Sequence, residues 1–307
     1  MNKCMGCGVN TKGNLCERCF RIKNYNEYKK VDINYECFLN NLDNIDENDL
    51  VVLVVDLLNI PIDFKDINSR ISNKIILVLN KFDLMPTYNK DRYINYFRKY
   101  GFNSIDTFCI STKNNYNIDN LYTCIKNNAS KNVYFIGYTN SGKSSLINKL
   151  IYNYSDNNTV ITTSFLANTT LDLIEVKLDK FTLIDTPGLI NEKGINDLND
   201  TILKKLSKSK KIKPITYQVK GKQYIIVENI IKITVIDSDI TIYIPNNIAI
   251  NRYYKDNVFK SIKEICYDIK STSDIVIPNI GFVKIKRGKV KIELNVDLKL
   301  YLREPLI

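Results

Sequence analysis

Gly137-Tyr138-Thr139-Asn140-Ser141-Gly142-Lys143-Ser144 spells G-x-x-x-x-G-K-S between the apolar run Val133-Tyr134-Phe135-Ile136 and a helix-like stretch from Ser145 to Ile151. Strand, glycine loop and helix in that order suit phosphate binding, because backbone amides then converge at a helix amino terminus. A second motif, Asn80-Lys81-Phe82-Asp83, has the N-K-x-D form that reads guanine, and it closes the apolar run from Lys74 to Leu79. In the usual arrangement such a motif follows the phosphate loop by a long stretch of chain. Here it precedes the loop, so the nucleotide-binding fold is expected to be circularly permuted.

The other segments fit an α/β plan. Leu50 to Asp56 is a continuous apolar run of the kind found in buried parallel strands. A helix is predicted from Asp91 to Lys99, a strand around Asp106 to Ile110 ending at Ser111-Thr112-Lys113, and a helix near Asp119 to Lys126. Alternation of this kind implies a doubly wound sheet with ligands at the carboxyl ends of its strands. Beyond the phosphate loop, the polar stretch Thr162 to Thr170 precedes a strand from Asp172 to Leu178, and Phe181-Thr182-Leu183-Ile184 runs into Asp185-Thr186-Pro187-Gly188.

Each motif suggests roles. Amides of residues 138 to 144 would cradle a diphosphate, with Thr139, Asn140, Ser141, Gly142 and Ser145 in the loop and Lys143 adding a point charge at the outer phosphates. Magnesium is expected on Ser144, on Asp185 through water, and on Thr170, with Thr169 as the alternative. Asp83 can accept hydrogen bonds from the ring N–H and exocyclic amine of guanine, whereas adenine would present an acceptor to it. Asn80 and Lys81 would hold the base and its loops, and backbone amides near Ser111, Thr112 and Lys113 would face the guanine carbonyl. Gly188 is expected at the outer phosphate. Catalysis is expected to rest on Lys143, Asn140, Thr170 and Gly188.

The amino terminus carries Cys4-Met5-Gly6-Cys7 and Cys16-Glu17-Arg18-Cys19. Two C-x-x-C pairs complete a tetrahedral Cys4 zinc site, structural in kind; a redox dithiol would need one pair, and a disulfide framework would need an oxidising compartment. No run of eighteen apolar residues and no apolar leader occurs, so a cytoplasmic protein is expected. The chain contains no histidine, which excludes imidazole chemistry.

Charge is unevenly placed. Residues 1–30 hold seven basic and two acidic side chains, residues 31–203 sixteen and twenty-one, and residues 204–307 twenty-one and ten. Both ends are therefore basic around an acidic middle, which points to a polyanionic partner, although an AT-rich coding bias toward lysine is a competing account. Residues 204–307 read as an α+β domain, with strands such as Ile215 to Val219, Ile230 to Val235 and Lys289 to Val296 and a helix between Asn257 and Asp268. Lys284, Lys286, Arg287, Lys289 and Lys291 would form a basic ribbon for RNA, with Tyr217, Tyr224 and Tyr243 as stacking partners; the competing reading is a solvated strand over buried tyrosines.

Taken together, the finger ending in Arg18-Cys19-Phe20-Arg21, the permuted motif order, Val160-Ile161-Thr162-Thr163-Ser164 before Thr169-Thr170-Leu171-Asp172, and the terminal Arg303-Glu304-Pro305-Leu306-Ile307 closely resemble the YqeH-type circularly permuted GTPases. The resemblance implies a zinc finger at 1–30, a circularly permuted P-loop GTPase domain at 31–203 and a basic RNA- or protein-binding domain at 204–307. It also implies GTP hydrolysis, with magnesium, coupled to maturation of the small ribosomal subunit; the chain is further expected to be a monomer with a slow intrinsic rate that meets GTP or GDP, that subunit or its rRNA, and no membrane. The alternative is a non-catalytic, nucleotide-gated scaffold that recruits proteins. Leu189 stands where many GTPases place a water-orienting glutamine, and Asn140 resembles the asparagine that holds potassium in potassium-stimulated relatives; the alternative is that Asn140 only braces the loop. Two departures stand out: the finger loop between Cys7 and Cys16 is short, and Asn168 replaces the glycine usual before Thr-Thr.

Overall fold

A computed structural model describes residues 2–3, 10–11, 42, 45–61, 67, 69–87, 89–138, 140–154, 160–165, 172–178, 180–186, 198 and 200–307. Cys4, Cys7, Cys16, Cys19, Thr139, Thr169, Thr170, Gly188 and Leu189 lie outside them. The chain divides into two compact units that do not follow its order. One comprises the described residues among Met1–Val55, Asp63–Asn80 and Gly101–Ile190, the other those among Asp56–Ile62, Lys81–Tyr100 and Asn191–Ile307.

The first unit is built on a seven-stranded sheet. Its strands are β1 (Leu50–Asp56), β2 (Ile75–Asn80), β3 (Asp106–Cys109), β4 (Asn132–Gly137), β5 (Val160–Phe165), β6 (Asp172–Lys177) and β7 (Thr182–Asp185), in the order β3-β2-β1-β4-β7-β6-β5. Pairs β2 with β3, β1 with β4 and β4 with β7 are parallel, whereas β6 runs antiparallel to β7 and β5. Every residue of β1 and β2 is buried, which explains why both read as continuous apolar runs rather than alternating ones. Their valines and isoleucines pack with Ile118, Leu121 and Ile125 of helix α2 (Ile118–Asn128) and with Leu146, Ile147 and Leu150 of α3 (Lys143–Tyr154). Each such side chain, fully buried, contributes about 1.5–3 kcal/mol. Helix α1 (Lys90–Lys99) belongs to the second unit; it buries Tyr93 and Phe97, and its Asp91 and its Arg98 and Lys99 complement the helix dipole at the two ends.

After helix α4 (Asp200–Ser207), residues 208–307 contain strands and no helix. They are β8 (Ile215–Gln218), β9 (Lys222–Val227), β10 (Ile231–Ile236), β11 (Asp239–Tyr243), β12 (Ile250–Tyr253), β13 (Lys263–Ile269), β14 (Ser273–Ile277), β15 (Gly281–Ile285), β16 (Gly288–Leu294) and β17 (Tyr301–Arg303). Two antiparallel sheets result, β8-β11-β15-β14-β17 and β12-β9-β10-β16-β13, which share one core of isoleucine, valine and leucine. The α+β expectation for this region is therefore corrected. The stretch predicted as a helix ends in strand β13, where Ile265, Tyr267 and Ile269 alternate with exposed Glu264, Cys266 and Asp268; that period of two selects a strand.

This β domain is duplicated. Val235 pairs with Val290 and Ile285 with Ile240, Lys232 with Glu293 and Phe282 with Tyr243, Tyr224 with Tyr253 and Asp274 with Arg303: each member lies fifty residues from its counterpart. The turn residues Asn229 and Asn279 obey the same offset and both take positive φ, 58° and 65°. Each half contributes two strands to the sheet of the other, so neither half would close its core alone.

Candidate nucleotide site

The phosphate loop leaves β4 at Gly137, where an added Cβ would lie 2.4 Å from the Val54 carbonyl oxygen of β1, so only glycine lets the loop pass this close. Asn140 and Gly142 then adopt positive φ, 64° and 89°, and α3 begins at Lys143. Asparagine tolerates that conformation better than most residues. A Cβ on Gly142 would lie 2.1 Å from Asn80 Nδ2, and that amide donates to the Ser141 carbonyl at 2.8 Å. The residue that begins the N-K-x-D motif thus braces the glycine loop. Asn80 is 1% exposed, and its Oδ1, like the Ser141 hydroxyl oxygen, is buried without a partner among the described residues. Orphaned polar atoms of this kind cost about 1–3 kcal/mol each and concentrate at functional sites.

Parallel pairing sets Asp185, at the end of β7, beside Phe135 of β4. The Thr186 hydroxyl donates to the Phe135 carbonyl at 2.8 Å and pins the chain just beyond. Here Lys143, 6% exposed, donates to Asp185 Oδ1 and to the Thr186 carbonyl, while the Ser144 hydroxyl donates to Asp185 Oδ2 at 2.9 Å. Lys143, Ser144 and Asp185, predicted as one constellation, are in contact. To reach phosphate oxygens the Lys143 ammonium must exchange these partners. The hard oxygens of Ser144 and Asp185, side by side, fit the donor set of magnesium.

The remaining residues of the N-K-x-D motif follow β2 along the chain. Lys81 takes positive φ, 61°, and Phe82–Leu84 form a 3-10 turn with Phe82 and Leu84 buried and Asp83 half-buried between them. Phe82 packs edge-on against Tyr93, with ring centroids 5.7 Å apart. Lys81 Nζ donates to Asp56 Oδ2 at 2.7 Å, and Asp56 Oδ1 accepts from the Leu58 amide at 2.9 Å. Asp56 was not foreseen as a partner of the motif; its signal is an acid closing a buried apolar strand at the carboxyl end, where a parallel sheet places its ligands. In the first unit, Ser111 is buried in a tight turn: it exchanges backbone hydrogen bonds with Tyr116, and its hydroxyl accepts from the Asn114 amide at 3.2 Å. Thr112 and Lys113 stand exposed or half-exposed at the tip of that turn, and Ser145 is exposed on α3.

Among the described residues no group of acidic or cysteine side chains is clustered as a metal site, and no helix is long and apolar enough to cross a membrane.

Residues 132–252 match the family of 50S ribosome-binding GTPases. The protein YqeH of Bacillus subtilis is 34% identical over 286 residues, covering 83% of this chain and 78% of that protein. A chloroplastic GTP-binding protein of Arabidopsis thaliana, brassinazole insensitive pale green 2, is 29% identical over 56% of this chain and 28% of its own length. GTPase Der of Karelsulcia muelleri is 33% identical over 49% of this chain and 37% of its own. Among solved structures, GDP-bound YlqF of T. maritima is 20% identical, with a TM-score of 0.30, over 47% of this chain and 55% of that one.

Proposed function

Since the chain belongs to the YqeH family of circularly permuted GTPases, we propose that it hydrolyses GTP slowly while it acts in assembly of the small ribosomal subunit, gripping RNA through its basic carboxyl-terminal domain. The observation that carries this reading is the contact of Lys143, Ser144 and Asp185 beneath a phosphate loop braced by Asn80, in a chain whose ends are basic. Cosedimentation of the full chain with purified small subunits, in the presence of a non-hydrolysable GTP analogue or of GDP, tests it. Nucleotide-dependent binding is expected; equal absence of binding in both would overturn the ribosomal role.

In this reading the loop amides hold the phosphates and Lys143 leaves Asp185 for the outer ones. Ser144, Asp185 and Thr170 hold magnesium, which supplies charge neutralisation at the phosphates when bound. Gly188 meets the outer phosphate through its backbone. Lys81, fixed by Asp56, flanks the base, the turn at Ser111 to Lys113 supplies amides for the guanine carbonyl, and Asp83 reads the guanine edge. Asp83→Asn is expected to weaken GTP binding about tenfold to a hundredfold, the range of one charged hydrogen-bond pair. Competition of GTP and ATP for a fluorescent guanine nucleotide measures it, and equal competition by both would remove the assignment.

Leu189 offers no group to orient water, so another source of catalysis is needed. A monovalent cation held by Asn140 would offset charge developing between the outer phosphates. Turnover is accordingly expected to be faster in potassium than in sodium at equal ionic strength, and Asn140→Ala is expected to remove the difference; equal rates in both salts would leave potassium without a role. Cys4, Cys7, Cys16 and Cys19 are proposed to hold one structural zinc ion per chain, which elemental analysis of protein purified without chelator checks. Loss of zinc from Cys16→Ser with the nucleotide domain still folded is the expected companion result.

A further inference from the structure

The basic ribbon that the sequence suggests is largely engaged in the fold. Lys286 pairs with Asp239 at 3.6 Å and Lys291 with Glu264 at 2.9 Å, and Lys284 donates to the terminal Ile307 carbonyl at 3.0 Å. Tyr224 and Tyr243 are buried, so neither can take a base. Another edge of the same β domain has the chemistry that the ribbon lacks.

Strands β12 and β17 are counterparts in the duplication, and both are edge strands. The β17 edge is covered from within the chain: the Tyr301 hydroxyl donates to the Ile60 carbonyl at 2.6 Å, and Glu304, just beyond the strand, pairs with Lys99 of α1. Fifty residues earlier, the counterparts Asn251 and Tyr254 are exposed, Tyr254 at 70%. On this open edge Arg252 lies between two rings, with its guanidinium carbon 4.9 Å from the Tyr217 centroid and 5.0 Å from that of Tyr254. Its Nε donates to Gln223 Oε1 at 2.7 Å, which fixes the plane of the stack. Lys255, next along the chain from Tyr254, is exposed and without a carboxylate at ion-pair distance among the described residues, whereas Lys222 alternates to the other face of the sheet, 5.5 Å over the Tyr224 ring. The nearby acid, Asp256, is taken by Lys232 at 2.5 Å.

We infer that the edge formed by Arg252 and Tyr254, backed by the half-buried Tyr217, is a stacking shelf for unpaired bases of RNA, with Lys255 taking an adjoining phosphate. Every base offers a face to an aromatic ring or a guanidinium, so a ring–guanidinium–ring stack favours single strands without reading sequence. The exposed Lys255 adds attraction to phosphate. The inference rests on the reading of the carboxyl-terminal domain as the part that grips RNA, and it names where and which form of RNA.

The test uses the full chain and a fluorescein-labelled single-stranded RNA of mixed sequence, about 12 nucleotides long, with a duplex of equal length and purified small subunits as further probes. Tyr254→Ala is expected to weaken single-strand binding about tenfold, the value of one stacked base, and to leave the duplex unaffected. Lys255→Ala is expected to lower the salt slope by about one. Tyr254 is exposed, so its variant should melt like the parent, and a paired Lys286→Ala variant serves as the ribbon control. If the parent chain binds neither RNA nor subunits, the functional reading and the shelf fall together. If the parent binds RNA and Tyr254→Ala and Lys255→Ala bind it as well as the parent, the shelf alone is overturned. Loss of subunit binding in Tyr254→Ala with single-strand affinity unchanged would also overturn it, by making the edge a protein contact.

Discussion

Lys143→Ala is expected to lower kcat/KM for GTP by at least about a thousandfold, the upper range for loss of one charge-stabilising donor. The loss has two sources. The point charge at the outer phosphates goes, and Asp185, 8% exposed, keeps a buried carboxylate with the Ser144 hydroxyl as its remaining side-chain partner among the described residues. The second effect also destabilises the first unit, because an unpaired buried charge costs several kcal/mol. Steady-state turnover combined with urea unfolding separates the two. A variant that folds like the parent and turns over within tenfold of it would remove Lys143 from the site.

The largest expected stability loss lies elsewhere, at Asp274→Ala in β14, at about 3–5 kcal/mol. Asp274 is 0% exposed and accepts from Arg303 Nε at 3.2 Å and from the Leu306 amide at 2.9 Å, both through Oδ2. Burial pushes its carboxyl up from the usual range, and the Arg303 guanidinium opposes that shift. Arg303 stacks 4.6 Å over the Phe282 ring, while its two terminal nitrogens have no hydrogen-bond partner among the described residues. Removing the carboxylate therefore leaves a buried cation with an aromatic face as its main support. Chemical denaturation followed by circular dichroism measures the loss; the chain has no tryptophan to report it. A loss under about 1 kcal/mol, the worth of an exposed pair, would show that the pair is not buried in solution.

The nucleotide site was legible because its physics is local. A glycine loop between an apolar strand and a helix needs no distant residue to be recognised, and Gly137, Gly142 and Lys143 stand where that pattern requires. The inverted order of Asn80 and the loop was legible for the same reason, although the amide contact from Asn80 to Ser141 was not, since it spans sixty-one residues. The duplication of the β domain was harder to see. What the two halves keep is burial at matched positions, as at Ile225 and Ile275 or Ile233 and Val283, and a left-handed turn at Asn229 and Asn279, with few other identical residues between them. A strand stands where a helix was expected between Asn257 and Asp268, because within Lys263–Ile269 burial recurs every two residues. The stack of Arg252 between Tyr217 and Tyr254 joins two different sheets, and no periodicity in one segment announces such a contact.

GTP turnover by the purified chain, measured alone, with small ribosomal subunits and with large ones at equal concentration, tests the central claim most directly. A slow basal rate that rises severalfold or more with small subunits, and stays near the basal value with large ones, is the predicted result. A rate unchanged by small subunits, or raised by large subunits instead, would contradict it.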